Sequence, residues 1–349
     1  MDRIILINDR EKIEKVYSDS EAFLKKNPPL SKEIGAFLWA YHEIEDLIPI
    51  LVHNFWSGHN FPLNESYSEL ENSYQLCLSG FYRYAFVALR NVLELGLLSV
   101  YWDKSNQSHI DIQQWLRANE DTPRRQQIIE GLKQIPNINS FAQSYNLWAE
   151  IKSLYDALSD FVHTKGLLHS SRGLSGHQSN VNQFSEASFR RWISTMKSVV
   201  QIMCIVHLLR YPVGLQYTPM DEKFGLNSPA GGFLNPFQQD QIKKILDPKA
   251  VKILKEISDK DETAVNLTQE INSRPDITNE EMERQILEWD KFHIRNQGWK
   301  SWYTNESKIY NSAANRPEER ARFKKRAVIL KSWATQNGFL KSKSPRRAP

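Results

Sequence analysis

Apolar side chains recur every three or four positions through nearly the whole chain, with no convincing run of strict alternation. That spacing predicts helices. Ile34, Phe37, Leu38, Tyr41, Ile44, Leu47, Ile48 and Leu51 mark one helix face, opening at an N-cap on Ser31 and running to about Phe55, with a kink or break at Pro49. A long helix is predicted over 65–102, shorter ones over 111–118 and 123–134, and another long one over 139–163. The Ser-, Gly-, His- and Asn-rich stretch 164–184 reads as a loop, after which Ser185 caps a helix to Arg210. Prolines and glycines then cluster between Tyr211 and Pro236 and mark a boundary. Helices resume over 237–246, 248–259, 262–272, 279–295 and 317–336. The expected fold class is all-α: a helical bundle over 1–215, a smaller helical region over 216–340, and a tail, 341–349, whose Lys, Arg and Pro content predicts disorder.

Charge sharpens this division. The formal net charge of +4 conceals a split: residues 1–290 carry 30 Lys+Arg against 38 Asp+Glu, whereas residues 291–349 carry 15 against 3. An acidic body with a basic end suits a polyanion partner. Only Cys77 and Cys204 are present, both within apolar helical runs, as expected of reduced core thiols in a cytoplasmic protein. No signal peptide is recognisable at Met1–Ile4 and beyond. The most apolar window, Ala85–Trp102, is interrupted by Arg90 and Glu94, and Val199–Leu209 is too short to span a bilayer, so no membrane partner is expected.

Two helical segments carry candidate chemistry. The segment from Cys77 to Trp102 is apolar almost all round, which predicts that other helices surround it, yet it holds Arg90, Asn91 and Glu94. Buried charge is costly unless paired. Arg90 and Glu94 stand four apart, either as a structural ion pair that sets bundle register or as an arginine held where phosphate charge develops. In the second segment Asp156, Ser159, Asp160 and His163 fall on one helical stripe. A histidine at a helix C-terminus beside a carboxylate has its protonated form stabilised, which suits proton transfer near neutral pH. The alternative is a helix-terminal residue bonded to Asp160 or a carbonyl.

Gly80, Phe81, Ala85, Leu89, Arg90 and Glu94, followed by Leu158, Ser159, Val162, His163 and Gly166, resemble a pattern in bacterial abortive-infection-type proteins of the HEPN (higher eukaryotes and prokaryotes nucleotide-binding) superfamily. The resemblance covers roughly residues 60–215. It implies a four- to five-helix bundle, often dimeric. It also implies a role in RNA handling for defence or as a toxin, in some members as a metal-independent endoribonuclease, with a protein partner in a defence or toxin–antitoxin system. The family motif places an arginine, a polar residue, three more residues and then a histidine on one helix. Here Arg90-Asn91 begins that motif but position 95 is Leu, so catalysis requires Arg90 and His163 to meet from neighbouring helices. In that arrangement His163 takes the 2′-hydroxyl proton, Arg90 stabilises the phosphate charge, and Glu94 or Asp160 orients the partners, with neither metal nor cofactor. A non-enzymatic adaptor or nucleic-acid-binding subunit is the alternative. Arg172-Gly-Leu-Ser-Gly-His177 matches the motif literally, but its Gly/Ser content predicts a loop. The spacings between His163, His169 and His177 do not suit a zinc site.

From 291 onward cations alternate with aromatics. Lys300, Trp302, Arg322, Lys324, Lys325 and Arg326 are the candidate nucleic-acid contacts, the cations neutralising phosphates and the ring stacking on unpaired bases. The competing reading makes the tryptophans of this region a small core with the cations as its solvated face.

Overall fold

The computed structural model describes residues 10–50, 58–104, 108–176, 183–229, 231–312 and 317–341. Among these the chain is all-α, a helical bundle with no strand. Chain contacts divide it into two compact units, 1–218 with 229–270, and 219–228 with 271–349.

The first unit begins with α1 (Arg10–Lys26) and α2 (Pro28–Glu43), followed by a 3-10 turn over Ile44–Leu47. Pro28 and Pro29 occupy the opening positions of α2, where the missing N–H costs nothing, so Ser31 lies inside the helix and is not its cap. The helix predicted to run on to Phe55 ends instead at Glu43, before Pro49. Next come α3 (Phe61–Leu78) and α4 (Tyr82–Trp102), which the hydrophobic pattern had run together. Gly80 separates them. It takes φ +80°, a region open to glycine, while Gly80 N–H bonds the Cys77 carbonyl and Phe81 N–H the Leu76 carbonyl, closing the end of α3.

The helices α5 (Ser108–Leu116), α6 (Arg125–Lys133) and α7 (Pro136–Ser144) lead to α8 (Leu147–Val162), and extended backbone at Tyr145 breaks the predicted 139–163 helix. After a short α9 (Ser171–Leu174), Ser185 caps α10 (Glu186–Arg210) as expected, its Oγ accepting from Ser188 N–H.

Helix α4 is the axle of this unit, enclosed by α3, α8, α10 and α6. It runs antiparallel to α3 and parallel to α10. Gly96 permits the close approach to α10: a Cβ there would stand 2.2 Å from Met203 Sδ and 3.0 Å from the Tyr41 hydroxyl. Buried serines tie the layers. Ser66 Oγ donates to the Val92 carbonyl (2.9 Å) and accepts from Tyr41, and Ser73 Oγ donates to the Ala85 carbonyl (2.7 Å) and accepts from Trp192 Nε1 (2.8 Å). At the far end Tyr211 donates to the Asp103 carboxylate (2.6 Å) and Arg210 to the Asp103 carbonyl (2.6 Å). Cys77 and Cys204 are buried free thiols. The helices α4 and α10 are long and apolar enough to cross a membrane, but 67% and 72% of their apolar windows are buried inside the bundle.

Beyond the 3-10 turn Pro212–Leu215 the first core does not stop at 215. The short α11 (Met220–Phe224) belongs to the second unit, but α12 (Pro236–Ile245) and α13 (Pro248–Ser258) return to the bundle. Leu234, Ile242, Ile245, Leu246, Ala250 and Leu254 join its core, which draws part of the predicted second region into the first unit. α14 (Glu262–Ser273) carries the chain onward. The second unit is built on α15 (Asn279–Gln297), α16 (Trp299–Ser312) and α17 (Pro317–Gln336). α16 was not foreseen. Of the predicted tail, 342–349 lies outside the described residues.

One buried titratable group sits between α4 and α10. His207 is fully enclosed, its Nδ1 bonded to the Met203 carbonyl (2.8 Å) and its Nε2 to Ser99 (2.9 Å). Burial lowers its pKa from 6.5 to about 4, against the opposing effects of the Met203 carbonyl and Asp103. The unfolded chain takes up this proton near 6.5 and the folded one only near 4. The folded state therefore has the full benefit above about pH 6.5 and loses it as pH falls towards 4, by up to roughly 3 kcal/mol. Urea unfolding followed by circular dichroism between these limits should show a steeper loss of stability on acidification in the wild type than in His207→Leu.

Candidate functional site

The register between α4 and α8 decides which candidate side chains meet. Arg83 closes the C-terminus of α8, its Nε and Nη2 donating to the carbonyls of Phe161 (3.0 Å) and Val162 (3.1 Å), where the last carbonyls of a helix lack partners. Phe86 stacks on Phe161 at 4.0 Å, and the Arg90 guanidinium lies 5.9 Å from the Tyr155 ring centre. The helices are thus antiparallel, with Arg90 level with Tyr155. His163 caps α8 eight residues further on, about 12 Å along the axis at 1.5 Å per residue. On α4 it is Arg83, and not Arg90, that lies at the level of His163.

The α8 stripe also separates on folding. His163 is exposed, and among the described residues its imidazole has no partner. Asp160 turns to Lys165 (3.2 Å) and to His169 Nε2 (4.0 Å). His169 lies edge-on to Phe161, its Nδ1 against the Lys165 carbonyl (2.9 Å) and its Nε2 facing Arg191 (3.4 Å). The loop reading of 164–184 missed this cluster, because Arg191 reaches it from α10. His177, the last residue of the literal motif, lies outside the described residues.

Arg90 and Glu94 do meet, with Arg90 Nη2 donating to Glu94 Oε1 at 2.8 Å. Both line a cleft of about 500 Å³ between α4, α6 and α8, together with Arg124, Arg125 and Tyr155. Asn91, also at the cleft, donates to Glu69 (3.2 Å). Burial raises the Glu94 carboxyl above its ordinary pKa, partly offset by Arg90 and Arg125. Arg125 pairs with Asp156 (3.2 Å) and stands 4.3 Å from the Tyr155 ring centre. Neither His163 nor Asp160 lines this cleft. Arg124 and Arg125 escaped notice in the sequence because nothing in the spacing of a short helix says that its first turn faces α4.

The second unit sorts the basic candidates. Trp302 and Arg326 are core residues, which corrects their assignment as nucleic-acid contacts. Trp302 is 1% exposed among Ile294, Phe323 and Leu330, and its Nε1 donates to Asp290 (3.0 Å). Arg326 donates to the same buried carboxylate (2.7 Å) and to the Tyr310 hydroxyl (3.1 Å). Burial pushes the Asp290 carboxyl up, and Arg326 and Trp302 pull it back. The signal was present: Phe323, Ala327, Leu330 and Ala334 form an i, i+4, i+7, i+11 stripe, and Arg326 lies within it. Lys300, Arg322, Lys324 and Lys325 are exposed, and among the described residues none forms an ion pair. Unlike Trp302, Trp289 and Phe292 are exposed on α15, stacked at 6.1 Å.

The chain matches no family model, no curated protein and no solved structure.

Replacing Asp290 by Ala should leave Arg326 buried without its counter-charge and the Trp302 N–H without an acceptor, at a cost of about 3–5 kcal/mol. Hydrogen exchange should then accelerate through α15, α16 and α17 while protection persists in α4 and α10.

Proposed function

We propose that this is a cytoplasmic RNA-handling protein that binds the polyanion through its second unit, acting as a non-enzymatic nucleic-acid-binding subunit of a bacterial defence or toxin–antitoxin system. The observation that carries the reading is the separation of the basic residues into two sets. Arg326 is consumed by Asp290 inside the core, whereas Lys300, Arg322, Lys324 and Lys325 stand in solvent without carboxylate partners among the described residues. A solvated stabilising surface usually intersperses both signs, whereas unpaired cations on a small unit suit phosphate contacts, whose binding energy comes from counterion release. The exposed Trp289–Phe292 pair on α15 supplies rings for stacking on unpaired bases.

The offset of about 12 Å along α8 between the levels of Arg90 and His163 favours this binding reading over cleavage within one chain, since proton transfer and charge stabilisation must act on one phosphodiester. The defence context rests on the HEPN resemblance alone.

Binding of single-stranded RNA should weaken with salt. Replacing Lys300, Arg322, Lys324 and Lys325 by Gln should flatten the slope of log K against log salt by about 3, at roughly 0.7 per lost phosphate contact. A salt-independent affinity, or a slope unchanged by the four substitutions, would refute the reading. Metal-free RNA cleavage lost in His163→Ala would replace it with the endoribonuclease.

A further inference from the structure

The cleft between α4, α6 and α8 lies in the first unit and takes no part in the nucleic-acid reading of the second. Three arginines line it, Arg90, Arg124 and Arg125, against one carboxylate-bearing lining residue, Glu94; Arg124 also borders a neighbouring cleft with Glu120, Asp121 and Glu130. Arg125 also pairs with Asp156, but Arg124 has no ion pair among the described residues. Arg90 is incompletely satisfied: Nη2 is bound to Glu94, while Nε is buried and has no hydrogen-bond partner. A guanidinium presents its donors as a rigid planar fork matched to tetrahedral oxyanions, and a buried unpaired donor of this kind is uncommon in a folded protein. The first turn of α6, beginning at Arg125, lines the same space and brings the positive end of a nine-residue helix to it. Leu95, Leu98 and Ile128 form an apolar wall, and the volume of about 500 Å³ lies within the range of small-molecule sites.

We propose that this cleft is a binding site for a phosphate monoester that carries a small apolar or aromatic group. Arg90, through the accessible part of its guanidinium, together with Arg124 and Arg125 takes the phosphoryl oxygens, and the organic part lies against Leu95, Leu98 and Ile128. Glu94 competes with the ligand for Arg90, so the ion pair of the empty protein is the contact that the ligand displaces. Sulfates and carboxylates of the same shape lack the second phosphoryl charge and bind less well. Two sources share this chemistry, a free small phosphate and the phosphorylated end of a nucleic-acid strand.

Titration calorimetry on the full chain tests it, with phenyl phosphate, inorganic phosphate and phenol as probes. Phenyl phosphate should bind with one-to-one stoichiometry and more tightly than inorganic phosphate, and phenol should not bind. Arg124→Gln and Arg125→Gln should each weaken phenyl phosphate about tenfold, the loss expected for one charge-assisted hydrogen bond. Glu94→Gln should tighten it several-fold, an effect that an ion pair with only a structural role does not produce. Circular dichroism confirms that each variant is folded. Absence of saturable phenyl phosphate binding up to about 10 mM would overturn the proposal, as would affinity unchanged by either arginine substitution or lowered by Glu94→Gln. To distinguish the sources, 5′-phosphorylated and 5′-hydroxyl oligoribonucleotides are compared on the variant with Lys300, Arg322, Lys324 and Lys325 replaced by Gln. A preference for the phosphorylated strand assigns a strand end, and equal binding alongside tight phenyl phosphate assigns a free small phosphate. Because the second-unit cations are absent from that variant, failure of the nucleic-acid reading leaves this result intact.

Discussion

A helix that is apolar almost all round can persist in water only if other helices enclose it, and in this protein α4 imposes that requirement on everything around it. Gly96 lets α10 approach until Met203 and Tyr41 occupy the space a side chain would need, and Ser66 and Ser73 use the carbonyls of α4 to hold α3 in place. Arg90 and Glu94 lie on this same helix and cannot be taken fully into the core at tolerable cost. They emerge where enclosure is incomplete, between α6 and α8, each still partly accessible, with side-chain exposures of 25% and 36%. The cleft follows from the packing of α4, and its charge follows from which residues α6 and α8 contribute there.

The second unit meets a different constraint. Its core is small, and it is completed by a buried ionic group. Asp290 accepts from both Trp302 and Arg326, so one carboxylate joins α15, α16 and α17. Removing Arg326 or Asp290 would leave its partner as an uncompensated buried charge, so the pair disfavours any packing that separates the two. It also removes one cation and one aromatic from the surface, and a count of basic and aromatic residues therefore overstates what is available to a polyanion.

Most of the helical content was legible because the period of 3.6 residues repeats over long stretches, and the caps at Ser185 and the 317–336 helix were placed correctly. The errors have particular causes. Hydrophobic periodicity runs through the turn at Gly80 and the extended residue Tyr145 because neither break is long enough to shift the pattern out of phase. The stretch Trp299–Ser312 is polar and rich in residues common in turns, and packing of Trp302 against Phe323 overrides that local preference. The boundary after Tyr211 is real as a change in local structure, but α12 and α13 carry enough apolar surface to return to the first core.

By itself the amino-acid sequence determined that the protein is helical, that charged residues interrupt its most apolar helix, and that its two ends differ in charge, because each is a property of one segment or of composition. Only the tertiary structure decided that Arg90 faces Tyr155 and Arg125 while His163 stands two turns away, and that Arg326 meets Asp290 while Lys300, Arg322, Lys324 and Lys325 form no ion pair among the described residues. The reason is geometrical. The helical period assigns each residue to a face of its own helix, but the register between helices is set by loop lengths, glycine-permitted approaches and long-range packing, none of which is encoded in the spacing within one helix.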